Sequence, residues 1–274
     1  MRILVLGASG YVGGAVYEAF ARRHEVVGTS GRHAVPGLHP VDLRDEAALR
    51  EVAGSGFDLI VHSAGIADLG VAEADPALAI ALNARSTEVV LAAISSPTKL
   101  VYLSSDNVFP GTAESYTEDD ERSPINAYGR SKVAAEDAVL RSGAHLVIRL
   151  PLMFGRSPYA DRFLDRLAGP VTRAQTDVVC APLYLPSLPP LIEALADRTG
   201  VMHLAGPDVV TRFELMSAIR TALDLPTEVV PVLEAESAQP DLRPRRLVLR
   251  SVRHQLAGTP LPQALLDYRR AIAG

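Results

Sequence analysis

One passage limits what this 274-residue chain can fold into more than any other: an apolar strand that runs straight into a glycine-rich turn and out into a helical pattern, RILVLGASGYVGGAV. At Gly7, Gly10 and Gly13 the missing side chains permit a tight turn, close approach of backbone N–H groups to a pyrophosphate, and tight packing of helix on strand. Ser9, Tyr11 and Val12 belong to the same turn. The competing reading is a glycine-rich turn with no ligand, and the flanking strand and helix speak against it.

The same alternation continues downstream. Short apolar runs (Arg2 to Leu6, Glu25 to Thr29, Leu59 to His62, Lys99 to Leu103, His145 to Leu150) alternate with segments of helical period (Val12 to Arg22, Glu46 to Val52, Ala77 to Ile94, Asn126 to Arg141). This rhythm predicts an α/β protein, a Rossmann-type doubly wound parallel sheet with six strands complete by residue 150. Right-handed crossovers then put the ligand crevice at the carboxyl ends of the strands, where Gly7, Ser63 and Ser105 fall. Beyond Phe154 the pattern loosens: helices are expected over Tyr159 to Leu167, Leu188 to Ala196 and Arg212 to Leu223, the last capped by Thr211, and a strand over Val201 to Ala205. Residues 1–155 therefore read as a nucleotide-binding domain. Residues 156–274 read as a smaller, substrate-binding lobe, some of whose segments return to the sheet.

An acidic residue about 20 positions after the glycines would bind the ribose 2'-hydroxyl of NAD and repel the 2'-phosphate of NADP. The second strand ends instead in Gly28, Thr29, Ser30, Gly31, Arg32. Hydroxyls and a guanidinium favour NADP(H), with NAD(H) the alternative. Arg32 reads either as a phosphate ligand or as a solvated loop arginine. Asp42, with Leu43 beside it, is placed to meet the adenine or to start the next helix. The run His62, Ser63, Ala64, Gly65 is expected beneath the cofactor, with His62 structural.

Tyr128 and Lys132 stand one helical turn apart in YGRSK, and residues so spaced share a face. With Ser105 from YLSSDNVFPG they form a hydroxyl, a phenol and an ammonium suited to reducing a carbonyl. A phenol of pKa near 10 needs help to move protons at neutral pH; lowering it by about 3 units takes roughly 4 kcal/mol, which Lys132 and an oxidised nicotinamide together can supply. Tyr128 is then the acid, Lys132 also holds the nicotinamide ribose, and Ser105 polarises the substrate carbonyl. Asp106 either touches substrate or caps a turn. A Tyr and a Lys at this spacing also occur by chance; the order of glycine turn, Ser105, Tyr128 and Lys132 is what carries the reading.

Composition narrows the partners. A formal charge of -5 gives no general affinity for nucleic acid. Cys180 is the single cysteine, which excludes an internal disulfide and a cysteine-based metal site and is read as packing. No metal is expected. The apolar run Val178 to Ala196 is broken by four prolines, so no membrane span is expected and a cytoplasmic location is.

On the segments YLSSDNVFPG, YTEDDERSPINAYGRSKVAAED and IRLPLMFG, the chain resembles the extended short-chain dehydrogenase/reductase superfamily, in its dTDP-4-dehydrorhamnose reductase-like branch. The spacing of Gly7, Gly10 and Gly13 is similar to that superfamily's. HLAGPDVVTRFELMSAI and LRPRRLVL resemble the branch's later elements. The resemblance implies reduction, by NADPH, of the keto group of a nucleotide-linked 4-keto-6-deoxy sugar held largely by the smaller lobe. Matched to the branch, Tyr128 and Lys132 are unchanged, Ser105 replaces a threonine, Asn107 replaces an aromatic residue, and Ser187 stands where an aspartate is frequent. Arg243, Arg245 and Arg246 are then either diphosphate ligands or exposed arginines. An epimerase or dehydratase is the alternative enzyme. The regulatory subunit of methionine adenosyltransferase is a second relative, implying a non-catalytic, NADP-binding role. A homodimer is consistent with the superfamily.

Overall fold

The computed structural model describes residues 1–31, 34–159, 161–237 and 241–273. Its centre is a seven-stranded parallel sheet formed by β1 (Arg2–Leu6), β2 (Glu25–Ser30), β3 (His39–Pro40), β4 (Leu59–His62), β5 (Lys99–Ser105), β6 (Leu146–Leu150) and β7 (Gly200–His203). The strand order is β7-β6-β5-β4-β1-β2-β3, so the direction of winding reverses between β1 and β4. That reversal opens a crevice at the carboxyl ends of the strands.

Both faces of the sheet are covered, which is why its strands read as continuous apolar runs instead of alternating ones. Ile3, Val5, Val101 and Leu103 face one way, into a core with helices α1 (Tyr11–Ala21) and, from the second half of the chain, Leu188–Leu195. Leu4, Leu6, Leu100 and Tyr102 face the other way, into a core with α2 (Glu46–Ala53) and the helices that follow β4 and β5.

The single helix expected from Ala77 to Ile94 is more complicated. A short α3 (Leu69–Ala74) and α4 (Pro76–Ile80), capped by the side chains of Asp68 and Asp75, lead into one π-helical stretch at Ala81–Arg85 and then α5 (Ser86–Ala93). Ser86 and Thr87 donate their hydroxyls to the carbonyls of Leu82 and Asn83, each at 2.7 Å, which competes with the ordinary helical ladder. Such bulges gather at functional sites. After β5 comes α6 (Ala127–Arg141), whose N-cap Asn126 accepts from the Gly129 N–H at 2.7 Å.

The second half adds α7 (Arg162–Leu167), α8 (Leu188–Leu195), α9 (Arg212–Ala222) and α10 (Leu261–Ala273). The helix expected from Tyr159 starts later, at Arg162, because Asp161 caps it. Thr211 and Glu214 cap α9 reciprocally, a capping box. The strand pair Val171–Gln175 and Glu228–Val232, with α7, α9 and α10, closes over a separate apolar core that includes Phe163, Leu215, Met216 and Tyr268. Meanwhile α8 and β7 belong to the sheet, since β7 pairs with β6 from Gly200 to His203. Among the described residues no helix is long and apolar enough to cross a membrane.

Candidate active site

The crevice divides into two connected hollows that share Gly10, Ser63, Ala64 and Gly65. The smaller, of about 240 Å3, is walled by Gly7, Ser9, Thr29, Ser30, Asp42 and Leu43. The larger, of about 370 Å3, contains Tyr11, Val12 and Gly13 at one end and Ser105, Tyr128 and Lys132 further in.

Two of the glycines serve packing. Gly7 adopts φ +85°, and a Cβ there would lie 2.7 Å from the Ala64 Cα. A Cβ on Gly13 would come within 2.2 Å of the Gly7 carbonyl oxygen and 2.4 Å of Ser63 Oγ. These contacts draw the N-terminus of α1 onto the ends of β1 and β4. Gly10, the N-cap of α1, lines both hollows, so the helix start faces the cavity with its backbone N–H groups.

Ser30 Oγ is buried at the end of β2, on the wall of the smaller hollow, without a hydrogen-bond partner among the described residues. An orphaned hydroxyl so placed fits a polar ligand group. Asp42 also lines this hollow, and its carboxylate pairs with Arg44 at 2.7 Å. The helix-starting role belongs instead to Asp45, which accepts from the N–H groups of Ala47 and Ala48. Arg32 lies outside the described residues.

Lys132 is only 6% exposed. Its ammonium donates to Tyr102 Oη at 2.9 Å and to the Leu103 carbonyl at 2.8 Å, and sits 4.4 Å from the Tyr102 ring centroid. Burial pushes this ammonium down to about 7, with the Glu136 carboxylate, one turn along α6, opposing the shift. An ammonium has three donors, so one stays available to the cavity. Tyr102 is the residue that motif reading missed: on sequence it is one more aromatic in a buried strand, and only α6 packing on β5 brings Lys132 to it.

Asn83 is a second missed residue. Fully buried in the π-helical stretch, it accepts from the Ile66 N–H at 2.9 Å and donates to the Ile66 carbonyl at 3.1 Å and to Ser131 Oγ at 2.7 Å. It therefore ties the loop after β4 to the helix turn between Tyr128 and Lys132. His62 is fully buried, within 3.4 Å of Thr87 Oγ1, and burial, with the charge of Lys132, holds it down to about 3.

Ser105 Oγ donates to Asp106 Oδ1 at 3.1 Å and accepts from the Asn107 backbone N–H at 3.2 Å. Asp106, 4% exposed, also lines the larger hollow. Burial lifts its carboxyl to about 7, against hydrogen bonds from Ser105 and Asn107 and the positive charge of Arg212.

One part of the cavity wall is basic. Arg166 from α7, Arg212 at the start of α9 and Arg243 converge there. Burial and then the like charges of Arg243 and Arg166 bring the Arg212 guanidinium down to about 10. Arg243 Nε is buried and, among the described residues, makes no hydrogen bond; it is ion-paired at 3.8 Å with a Glu234 carboxylate oxygen that likewise accepts none from them. Of the three sequence candidates, Arg243 alone reaches the cavity; Arg245 pairs with Asp177, and Arg246 donates to the Glu114 carbonyl at 2.8 Å. Arg166 and Arg212 carried no motif signal, because the lobe's folding alone brings them opposite β5. Cys180 lies in this wall as well, its thiol pushed up to about 12 by burial, which leaves it unreactive.

A doubly wound sheet with a glycine turn at its switch point, and a Ser, Tyr and Lys in the adjoining cavity, define a Rossmann-type dinucleotide fold equipped for carbonyl chemistry. The chain belongs to the family described as RmlD substrate binding domain, whose model matches residues 1–273. It is 30% identical to a dTDP-4-dehydrorhamnose reductase of Mycolicibacterium smegmatis, across 100% of this chain and 86% of that protein. It is 29% identical to methionine adenosyltransferase 2 subunit beta of Danio rerio, across 97% of this chain and 89% of the relative. The structure of dTDP-4-dehydrorhamnose reductase from Bacillus anthracis, solved in complex with NADP, superposes with a TM-score of 0.85 at 23% identity, covering 98% of this chain and 99% of that one.

Proposed function

We propose that this protein is an NADPH-dependent reductase acting on the keto group of a nucleotide-linked sugar. The observation that carries the proposal is the joining of Ser105, Tyr128 and Lys132 to the glycine turn within one cavity that three arginines also line.

The residues present fit a dinucleotide. The start of α1 at Gly10 would receive the pyrophosphate, Asp42 and Leu43 would border the adenine, and Ser63 to Gly65 would pass beneath the cofactor. The unpartnered Ser30 hydroxyl favours NADP over NAD at the ribose, where a carboxylate would have favoured the reverse. When bound, the reduced nicotinamide supplies a hydride to the carbonyl carbon.

The chain's own groups handle the rest of the reaction. Ser105 donates a hydrogen bond to the carbonyl oxygen, and Tyr128 gives that oxygen its proton. Lys132, anchored by Tyr102 and the Leu103 carbonyl, spends its remaining donor on the ribose and favours the Tyr128 phenolate left behind. The guanidinium groups of Arg212 and Arg243 are matched to the diphosphate of a sugar nucleotide. A diphosphate on these arginines would hold the sugar in the cavity that Ser105 also lines.

Purified protein supplied with NADPH and a panel of keto-sugar nucleotides should consume nicotinamide absorbance. Tyr128→Phe should lower that turnover by about 10²- to 10⁴-fold while leaving NADPH binding intact. Tight NADPH binding without turnover of any panel member would refute the reductase reading. It would favour a cofactor-holding partner subunit, a second reading that the relation to methionine adenosyltransferase 2 subunit beta supports. A stable heteromeric complex unaffected by Tyr128→Phe would then be expected.

A further inference from the structure

A serine hydroxyl has one hydrogen to give. In this structure Ser105 gives its hydrogen to Asp106 Oδ1, not to the cavity. Oδ1 also receives the Asn107 side-chain amide at 2.9 Å, an amide that lies 3.4 Å from Ser105 Oγ as well. The two residues are 7% and 4% exposed and both line the larger hollow. While the carboxylate is charged, the bond to Ser105 is charge-assisted and the hydrogen stays where it is.

From this geometry we infer that Asp106 is a positioning residue that sets the direction of the Ser105 hydroxyl. When neutral it donates to Ser105 Oγ and turns that hydrogen toward the substrate carbonyl; when ionised it withdraws the hydrogen. The inference rests on the reductase reading of the site. No bond to carbon is made or broken by Asp106: its carboxylate takes one proton from solvent, that proton bridges the two oxygens 3.1 Å apart while the Ser105 hydrogen rotates to the substrate, and ionisation returns it to solvent.

The surroundings bias this equilibrium from several elements. Tyr128 and Lys132 border the cavity from α6, Cys180 from the strand Val179–Cys180, Arg212 from α9, Arg166 from α7 and Arg243 from the loop before the strand Arg246–Leu247. Of these, Arg212 acts on Asp106 directly and favours the ionised form, against burial, which favours the neutral one. An anion on the arginines offsets that charge. A bound diphosphate therefore shifts Asp106 toward the neutral form and frees the Ser105 hydrogen once substrate is in place.

Two measurements on the full chain test this separately. The first needs no turnover: infrared difference spectra of the wild type against Asp106→Asn, from pH 5 to 9. A protonated-carboxyl band should be present at low pH, vanish with a midpoint near neutrality, move to higher pH when inorganic pyrophosphate is added, and shift in frequency in Ser105→Ala. Absence of the band across the range, or a band indifferent to Ser105→Ala, overturns the inference whether or not the protein is a reductase.

The second measurement is the pH profile of kcat/KM for NADPH-dependent reduction. Asn cannot ionise, so the Asp106→Asn to wild-type ratio should rise at least tenfold between pH 6 and 9, with the change in kcat and not in KM. Asp106→Ala should be equally free of this limb at a lower level. A uniform loss in both variants with the wild-type pH profile retained would make Asp106 merely structural and overturn the inference. Failure of the wild type to turn over at all would refute the reductase reading alone, leaving the infrared titration to decide on Asp106.

Discussion

Lys132→Met offers a test in which the energetics of the site can be separated from its chemistry. In an unfolded chain a lysine titrates near its model value of 10.5, and in the fold burial holds it at about 7. The folded pKa of a base is therefore depressed. Between these two values the unfolded state binds more protons than the folded one, so stability rises with pH. The penalty is fully present below pH 7 and is relieved as pH climbs toward 10.5. A 3.5-unit gap corresponds to roughly 5 kcal/mol in total, and the part recovered between pH 7 and 9 is about 2 kcal/mol.

The substitution to Met keeps the length and apolar stem of the side chain, but it also leaves Tyr102 Oη and the Leu103 carbonyl without their donor. That loss costs about 1–3 kcal/mol at every pH, so the absolute stability change mixes two effects of opposite sign. The pH dependence does not. Urea unfolding of both proteins at pH 7 and pH 9, without cofactor, should show the wild type gaining about 2 kcal/mol relative to Lys132→Met. A difference between the two proteins that stays constant with pH would refute the reasoning, because it would mean that Lys132 keeps its ordinary pKa and is solvated in the fold.

Other parts of the structure give shorter tests. Gly13→Ala places a methyl group against the Gly7 carbonyl and Ser63 Oγ, so α1 must move; a loss of about 1–3 kcal/mol in urea unfolding and weaker NADPH binding by fluorescence titration are expected. Arg212→Ala removes one guanidinium from the basic wall, and the loss of a charge-assisted hydrogen bond worth about 1.5–3 kcal/mol should raise KM for the sugar nucleotide tenfold or more with kcat little changed. Glu136→Gln leaves Arg149, which is 2% exposed, without its buried carboxylate partner; about 3–5 kcal/mol of stability should be lost in urea unfolding.

The sheet was legible because its physics is local. A strand buried on both faces must be apolar throughout, and the helices between strands must carry a stripe at helical period, so β1, β4, β5 and β6 and the helices α1, α2 and α6 fall where the residue pattern puts them. The site was legible only where it lies on those elements. Ser105 ends a strand, Tyr128 and Lys132 share a helix face, and Gly10 starts a helix. The missing parts depend on long-range packing: Asn83 acts through a π-helical stretch that its own neighbours' hydroxyls help create, and Tyr102 matters only because α6 lies across β5.

The arginines show the same limit from the other side. In LRPRR three guanidinium groups look equivalent, yet the pairing of Arg246–Leu247 with Val179–Cys180 fixes the register of that loop, Arg245 goes to Asp177, and Arg243 is left facing the cavity. Arg212 arrives there because a capping box at Thr211 starts α9 at that point. The positions of Ser105, Tyr128 and Lys132 are thus set by short-range spacing on one strand end and one helix, whereas those of Arg212 and Arg243 are set by where the later helices and strands begin. On the proposed reading, replacing both Arg212 and Arg243 by Ala should abolish turnover of a sugar nucleotide while NADPH binding by fluorescence titration is retained; parallel loss of both would refute that division.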